Sequence, residues 1–297
     1  MNEVLDSYIE YCELERKLSP RTVDSYSRDL TRFFQWLEER GSGAVAADTG
    51  EVADYLSGLS SSGMAASSVR RVLSSIRGFY RYLQSSGTRK DHPAELLHPP
   101  KQPMRLPHSI SLEQVTAMIE VWKGDTTLSL RNRALMELAY GAGLRESEIT
   151  GMTVGRVMLE EELVRPMGKG SKERLVPIGP EAVEWLKKYI DIARPELLGR
   201  IKTPVLFLTY RGNPLSRMTV WNVVRKSAVK AGVPGRVHPH TLRHSFATHL
   251  LKGGADLRVV QELLGHSDIK TTEIYTDLDR THLRNVIRRC HPRSGGL

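Results

Sequence analysis

Cysteine is nearly absent from this chain: Cys12 and Cys290 are its only two cysteines, and neither belongs to a CxxC pair. A disulfide framework and a cysteine-rich zinc site are therefore excluded, and a reducing cytoplasm is the expected location. Long apolar runs are also missing, since the longest span a few residues and a bilayer requires about 20. The charged beginning, with Glu3 and Asp6, does not resemble a signal peptide. We expect no membrane association.

Aromatic residues are scarce as well, at 6% of the chain, so stacking on single-stranded nucleic acid is less expected than duplex binding. Positive charge, in contrast, is abundant and uneven. The formal net charge is +9, while residues 1–60 sum to −6, residues 61–90 to +6 and residues 201–250 to +8. Two basic stretches are typical of a protein that binds a polyanion such as double-stranded DNA, although a merely solvated basic surface has the same composition.

The chain length of 297 residues exceeds what one compact core usually accommodates, so two domains are expected. Apolar residues at 40% and charged residues at 26% indicate folded domains rather than a disordered or fibrous chain. Proline is concentrated between residues 87 and 110, where it cannot continue a helix. We therefore predict an N-terminal helical domain over residues 1–86, a proline-rich linker over 87–110 and a second domain over 111–297.

The N-terminal domain is predicted to be a bundle of four short helices. Ser19 and Pro20 suit the start of one helix, and the last helix, at about 65–83, has an apolar side that includes Leu73 and Tyr80. Arginines cover the rest of that helix: Arg70, Arg71, Arg77 and Arg81. We predict that they contact DNA, with simple solvation of a helix face as the alternative.

The second domain is predicted to be mainly helical, with helices at about 111–122, 129–141, 180–193, 216–231, 241–252, 256–264 and 279–289. The exception is a hairpin, with strands at 163–166 and 173–178 around the glycine-rich basic turn at 168–172. The fold class is thus mainly α with a small β-hairpin. Further DNA contacts are predicted in the turn and in the basic stretch that follows: Lys172, Arg174, Arg217 and Arg225.

Several short motifs in this domain contain residues that suit phosphate chemistry. Arg145 lies between the glycines of one helix end and the start of the next helix, a corner that suits an anion. His240 and Arg243 are three residues apart, so both can face one site at a helix start. His240 and His244 have the i, i+4 spacing of metal ligands, but Thr241 stands where a zinc protease needs Glu, and no acidic third ligand is evident nearby.

Two further candidates lie near the end of the chain. His266 follows a helix that glycine ends, and Tyr275 lies nine residues beyond it. A single tyrosine or histidine of this kind is more often structural than catalytic.

Together, however, these motifs resemble those of the tyrosine site-specific recombinases of the phage integrase family. The matching segments are GAGLRESE, GKGSKERLVPIG, HPHTLRHSFATHLL and LLGHSDIKTTEIYTDL. The resemblance covers essentially the whole chain and implies an N-terminal SAM-like core-binding domain followed by a recombinase catalytic domain. Length and the lack of an arm-binding domain favour the Xer-type branch. Glu146 and the segment 153–157 depart from the family pattern, although neither touches a catalytic position.

The resemblance implies a role for each of six residues. Tyr275 would be the nucleophile that forms a 3′-phosphotyrosyl bond, and His240 its base. Arg145 and Arg243 would clamp the phosphate, and His266 would donate a further hydrogen bond to it. Lys169, on the hairpin turn, would protonate the leaving 5′-oxygen. No metal, ATP or other cofactor is expected.

The resemblance also implies partners and a biological role. Xer-type enzymes resolve chromosome dimers as homo- or hetero-tetramers on two DNA sites, joined by exchange of a C-terminal helix, and a septal DNA translocase is a possible activator. Here that helix is the amphipathic segment at about 279–289, for which packing on its own domain is the alternative. Two other functions stay open: relaxation of DNA as by a type IB topoisomerase, and a non-catalytic helical DNA-binding regulator.

Overall fold

The computed structural model describes residues 3–99, 109–168, 173–265 and 277–293, without the side chains of 277–280 and 282. The chain divides into two compact units. Residues 1–105 form the N-terminal unit, and residues 106–297 form the unit called catalytic here after the role that the resemblance implies. No helix among the described residues is long and apolar enough to cross a membrane.

The N-terminal unit contains four helices: α1 (Glu3–Leu14), α2 (Pro20–Glu38), α3 (Thr49–Ser61) and α4 (Ala66–Ser85). Ser19 caps α2 and accepts a hydrogen bond from the Thr22 N–H, as Pro20 in the first turn favours. The predicted apolar side of α4, including Leu73 and Tyr80, is buried in a core shared by all four helices. The predicted helical N-terminal domain is thus confirmed.

The first part of the predicted linker packs against this unit. Arg77 donates hydrogen bonds to the carbonyls of Ala94, Glu95 and Leu97, and Ala94 is fully buried in the N-terminal core. At the other end of the linker, the Ile110 N–H donates to Ser245 in the catalytic unit at 3.0 Å. The boundary between the two units, at residues 105 and 106, lies within the proline-rich segment. Proline density does not indicate which residues of that segment pack onto each unit.

The catalytic unit is built around α6, whose residues 129–141 are all buried. Its helices are α5 (Leu112–Glu120), α6 (Thr127–Gly141), α7 (Glu146–Thr150), α8 (Pro180–Lys188), α9 (Arg194–Leu198), α10 (Arg217–Lys230), α11 (Pro239–Lys252), α12 (Leu257–Leu264) and α13 (Asp277–Cys290). The predicted helix at 180–193 continues through a π-helical turn into α9.

The predicted hairpin is present and has a third strand that sequence reasoning missed. Strands β1 (Val157–Met158), β2 (Leu163–Val164) and β3 (Val176–Pro177) form an antiparallel sheet in the order β1-β2-β3. Leu163 pairs with Pro177, and Met167 with Glu173 closer to the turn. A strand of two residues is too short to show the alternation that identifies strands in a sequence.

Candidate active site

The corner between α6 and α7 sets the position of Arg145. Gly143 has a φ of +56°, and a Cβ there would lie 2.4 Å from the Phe246 ring, so only glycine fits. Arg145 precedes α7, and its N–H donates to the Glu148 carboxylate at 2.8 Å. The Arg145 side chain is 36% exposed. The predicted corner therefore presents a guanidinium that remains accessible to a ligand.

Glu148 is the centre of the site, and its side chain has no exposed surface. Arg174 donates to both of its carboxylate oxygens, at 2.6 and 3.0 Å, and Arg145 Nη1 donates at 3.0 Å. Arg243 Nη1 lies 3.8 Å from the same carboxylate. Burial opposes ionisation of Glu148, but the hydrogen bonds and charge of Arg174 and the charge of Arg243 outweigh it, so the pKa of this carboxyl lies below its usual value.

Arg243 reaches the site from α11. It donates to the Gly143 carbonyl at 2.7 Å and to the Leu264 carbonyl. Burial, followed by repulsion from Arg145, lowers the pKa of the Arg243 guanidinium to about 10. Arg243 therefore stays charged at neutral pH, and its main-chain partners hold it in one place.

The end of α12 completes the cluster. Arg174 Nε donates to the Leu263 carbonyl at 2.8 Å, and Arg145 donates to the Gly265 carbonyl at 3.2 Å. Together with the bond from Arg243 to Leu264, the three arginines bind three successive carbonyls at the C-terminal end of one helix. Cations are favourable at this end because the helix dipole is negative there.

The structure thus brings Arg145 and Arg243 to one carboxylate, and the resemblance implies that these two arginines bind one phosphate. His240 is an exposed residue in the first turn of α11, one turn before Arg243. Burial, and then the charge of His240, lowers the pKa of the neighbouring His238. Lys169, Lys172, His266 and Tyr275 lie outside the described residues.

Sequence reasoning missed Glu148 as the organiser of the site. One signal was available: Glu148 follows Arg145 by three residues at a helix start, the spacing of a capping box. The pairing with Arg174 had no local signal, because these residues are 26 positions apart.

The predicted DNA contacts fall into two groups. Apart from Lys172, which lies outside the described residues, five of these side chains are exposed: Arg70, Arg71, Arg81, Arg217 and Arg225. Arg71 also donates to the carboxylate of the buried Asp29. Arg77 and Arg174 are placed differently from the prediction, since Arg77 donates to the carbonyls of residues 94–97 and Arg174 is buried against Glu148. Their positions along the sequence suggested a surface, but their hydrogen-bond donors are used inside the protein.

The described part of the C-terminal helix α13 packs against the core of its own unit in this single chain. Leu283, Val286, Ile287 and Cys290 of α13 are buried in the catalytic core. Beyond the helix, Arg293 donates to both carboxylate oxygens of the buried Glu137, at 3.0 and 2.6 Å. These contacts fix the end of the chain to the catalytic unit, and helix exchange between protomers stays a prediction.

Among the described residues, no group of three or more His, Cys, Asp or Glu side chains is placed to hold a metal ion. What the arrangement offers is three guanidiniums against one carboxylate, an excess of two positive charges. Such a site suits a phosphodiester, which arginines bind through paired N–H bonds.

This chain belongs to the Phage integrase family, which it matches over residues 108–282, and its residues 5–87 match the Phage integrase N-terminal SAM-like domain. It is therefore a tyrosine recombinase, an enzyme that breaks and rejoins DNA at specific sites. Within the family it is of the Xer type. It is similar to the tyrosine recombinase XerD of Chlorobaculum tepidum, at 42% identity over 98% of this chain and 97% of that protein. XerD of Pseudomonas aeruginosa is also 42% identical, with the same shares covered.

Solved structures of recombinases share the fold. XerH bound to a palindromic difH substrate, in a post-cleavage complex, has a TM-score of 0.71 at 22% identity, with 96% of this chain and 84% of that chain covered. A lambda integrase tetramer bound to a Holliday junction has a TM-score of 0.70 at 20% identity, with 93% and 77% covered. At these identities the likeness shows the fold alone.

Proposed function

We propose that this recombinase cleaves double-stranded DNA by attack of the Tyr275 hydroxyl on a phosphodiester, which forms a 3′-phosphotyrosyl bond and releases a 5′-hydroxyl. The covalent bond conserves the energy of the phosphodiester, so the 5′-hydroxyl of another strand can reverse the step without ATP. The single observation that carries this proposal is the cluster of three arginines around the buried Glu148, of which Arg145 stays accessible to a ligand.

The arginines stabilise the charge that develops during the reaction. A phosphodiester carries one negative charge, and its five-coordinate transition state carries nearly two. Arg145 and Arg243 bind the non-bridging oxygens, and the excess of two positive charges in the cluster matches the transition state better than the ground state.

The remaining roles concern proton transfer. His240 accepts the proton of Tyr275, whose hydroxyl is a weak nucleophile while protonated because the ordinary tyrosine pKa is about 10. Lys169 donates the proton that the departing 5′-oxygen requires, and His266 donates a further hydrogen bond to the phosphate. The exposed position of His240, one turn before Arg243, supports its part in this scheme.

The biological role follows from the Xer-type resemblance. We infer that the enzyme acts in the cytoplasm on a chromosomal site, where it resolves chromosome dimers as a tetramer on two DNA duplexes, either alone or with a second recombinase. A septal DNA translocase is a candidate activator.

A nicked suicide substrate tests the proposal. The candidate chromosomal site carries a nick beside the cleaved bond, so the short 5′-hydroxyl fragment diffuses away and the covalent protein–DNA adduct accumulates on a denaturing gel. We expect the wild type to form the adduct with and without EDTA. Tyr275→Phe should bind the DNA and form none, because only the hydroxyl is removed.

The matched control is Tyr210→Phe, a change of an exposed tyrosine in the same unit, which should leave the adduct unchanged. An adduct formed by Tyr275→Phe would contradict the assignment of the nucleophile. Rapid relaxation of supercoiled plasmids that lack the site would favour the type IB topoisomerase activity instead.

A further inference from the structure

The pairing of Glu148 with Arg174 contributes to the charge of the cluster, but the reaction described above gives neither residue a role of its own. Glu148 is fully buried, and a buried carboxylate requires counterions and hydrogen bonds to remain charged. Arg174 supplies two parallel hydrogen bonds to it, while its own side chain is only 8% exposed. So little exposure leaves Arg174 poorly placed to bind DNA directly.

The charges around Glu148 show what the pair does for the phosphate site. Among the described residues, the other cations paired with this carboxylate are Arg145 at 3.0 Å and Arg243 at 3.8 Å. If Arg174 were neutral, Glu148 would draw its compensation from these two guanidiniums. The excess positive charge of the cluster would then fall from two to one. Arg145 and Arg243 would compensate Glu148 and would have less charge left to stabilise the phosphate.

Arg174 also ties the β-sheet to the end of α12. It lies one residue before the buried Leu175 and two before β3, and its Nε donates to the Leu263 carbonyl, next to the carbonyls that bind Arg243 and Arg145. A Cβ on Gly265 would come within 3.1–3.3 Å of the Arg174 side chain, so the packing is close. One guanidinium therefore contacts the acid and the helix end that orient both phosphate-binding arginines.

We propose that Arg174 is a positioning residue for DNA cleavage: it is the dedicated counterion of Glu148, and it thereby leaves the charge of Arg145 and Arg243 for the scissile phosphate. This inference rests on the proposed function, because it assumes that the two arginines bind that phosphate. It replaces the direct DNA contact predicted from the sequence for Arg174.

The test measures the rate of adduct formation at saturating protein on two suicide substrates. One has the ordinary phosphodiester, and the other has a methylphosphonate at the same position, which lacks one negative charge. Arg174→Gln should slow cleavage of the phosphodiester by about 10²-fold, the usual cost of removing one preorganised donor from a developing charge. On the methylphosphonate, Arg174→Gln should slow cleavage by less than about tenfold, because less charge develops on that group in the transition state.

A double-mutant cycle with Glu148→Gln isolates the counterion role. When Glu148 is neutral there is no charge to compensate, so adding Arg174→Gln should then cost less than about tenfold on the phosphodiester. Arg174→Lys keeps the charge and should cleave at least about tenfold faster than Arg174→Gln. Equal costs of Arg174→Gln in both Glu148 backgrounds, or on both substrates, would overturn the proposal.

Two measurements separate this role from folding and from DNA contact. Arg194→Gln is the matched structural control: Arg194 is half-buried, donates to the carbonyls of Thr203, Val205 and Leu206, and should show equal costs on the two substrates. A weaker DNA affinity of Arg174→Gln with a salt slope reduced by about one would identify a phosphate contact and also overturn the proposal. Absence of an adduct with the wild type, by contrast, would contradict the proposed function itself.

Discussion

The two units of this protein use charge in opposite ways. In the N-terminal unit the arginines of α4 lie mostly on the surface, and Asp29 is its only buried charged residue among the described residues. The catalytic unit buries more charged side chains, namely Arg131, Arg133, Glu137, Glu148, Arg174 and Arg243. The contrast separates a surface that attracts a polyanion from an interior that holds charge at fixed positions.

The two sets of arginines act differently because one is exposed to solvent and the other is not. Exposed arginines are screened by water and salt, so they contribute attraction that is weak for each pair and depends on ionic strength. Buried arginines are held by hydrogen bonds before the substrate arrives, and the charge they present needs little reorganisation. The affinity for DNA and the rate of cleavage should therefore depend on different sets of arginines. Two of the three experiments below test that separation, and the other tests how burial affects a titratable group.

The largest expected effect concerns the catalytic unit. Lys169→Ala should slow cleavage by about 10²–10⁴-fold, the usual contribution of proton transfer. Replacing the bridging 5′-oxygen by sulfur should restore cleavage, because a thiolate leaves without a proton. Arg243→Ala should not be restored, since its defect lies in the charge of the transition state. Cleavage rates of the two variants on both substrates measure this difference.

Lys172 is the competitor for the acid role, since it lies three residues beyond Lys169. Rescue of Lys172→Ala by sulfur, with Lys169→Ala still inactive, would transfer the role to Lys172. Rescue of Arg243→Ala would remove the distinction between charge stabilisation and proton donation.

The second effect is on the pH dependence of stability. Burial, then the charges of Arg293 and His249, lowers the pKa of His291 to about 3, and its ring packs against Tyr140 and Phe246. The unfolded chain therefore binds a proton at His291 more readily than the folded chain does. The contribution of neutral His291 to the free energy of unfolding is complete above pH 6.5 and is lost as the pH falls. At pH 5 the loss is about 2 kcal/mol of the free energy of unfolding of the catalytic unit.

Urea unfolding of His291→Leu and the wild type at pH 7 and pH 5 checks this value. The variant should lose about 2 kcal/mol less between the two pH values, whatever its packing costs at pH 7. An identical pH dependence would show that His291 does not titrate as its burial implies.

The smallest effect is expected on the surface of α4. Replacing Arg70, Arg71 and Arg81 by alanine should weaken DNA binding and reduce the slope of log affinity against log salt by about 0.9 for each phosphate that is no longer neutralised. The cleavage rate at saturating protein should not change. Lys17, Arg40 and Lys90, three exposed cations outside α4, form the control triple and should leave the slope unaltered. If the triple variant of α4 cleaved DNA more slowly at saturating protein, these surface arginines would affect the rate as well as the affinity, and the contrast between the units would not hold.

Much of the local structure was predictable because it depends on residues close in sequence. Apolar periodicity predicted the helices, and the Ser19-Pro20 start of α2 is a local capping effect. The hairpin followed from its glycine-rich turn. The four matched segments identified the family, and two of their arginines meet as expected.

What the sequence did not disclose is how these arginines are held. Arg145 and the Gly265 carbonyl are 120 residues apart, and Arg243 and the Gly143 carbonyl are 100 apart. No periodicity links such positions. In the sequence Arg174 and Arg77 look like the exposed Arg70, although the fold gives them carbonyl and carboxylate partners inside the protein.

The sequence by itself determined the class of the protein, its helices and the identity of the residues that suit phosphate chemistry, because each depends on short segments. Only the tertiary structure decided that Glu148 pairs with Arg174 next to Arg145 and Arg243, and that the apolar side chains of α13 are buried in the core of its own unit. Both arrangements depend on which side chains are removed from water when distant segments pack. Burying a charge costs free energy, while pairing that charge or burying apolar surface gains free energy, and both effects arise only in the folded chain.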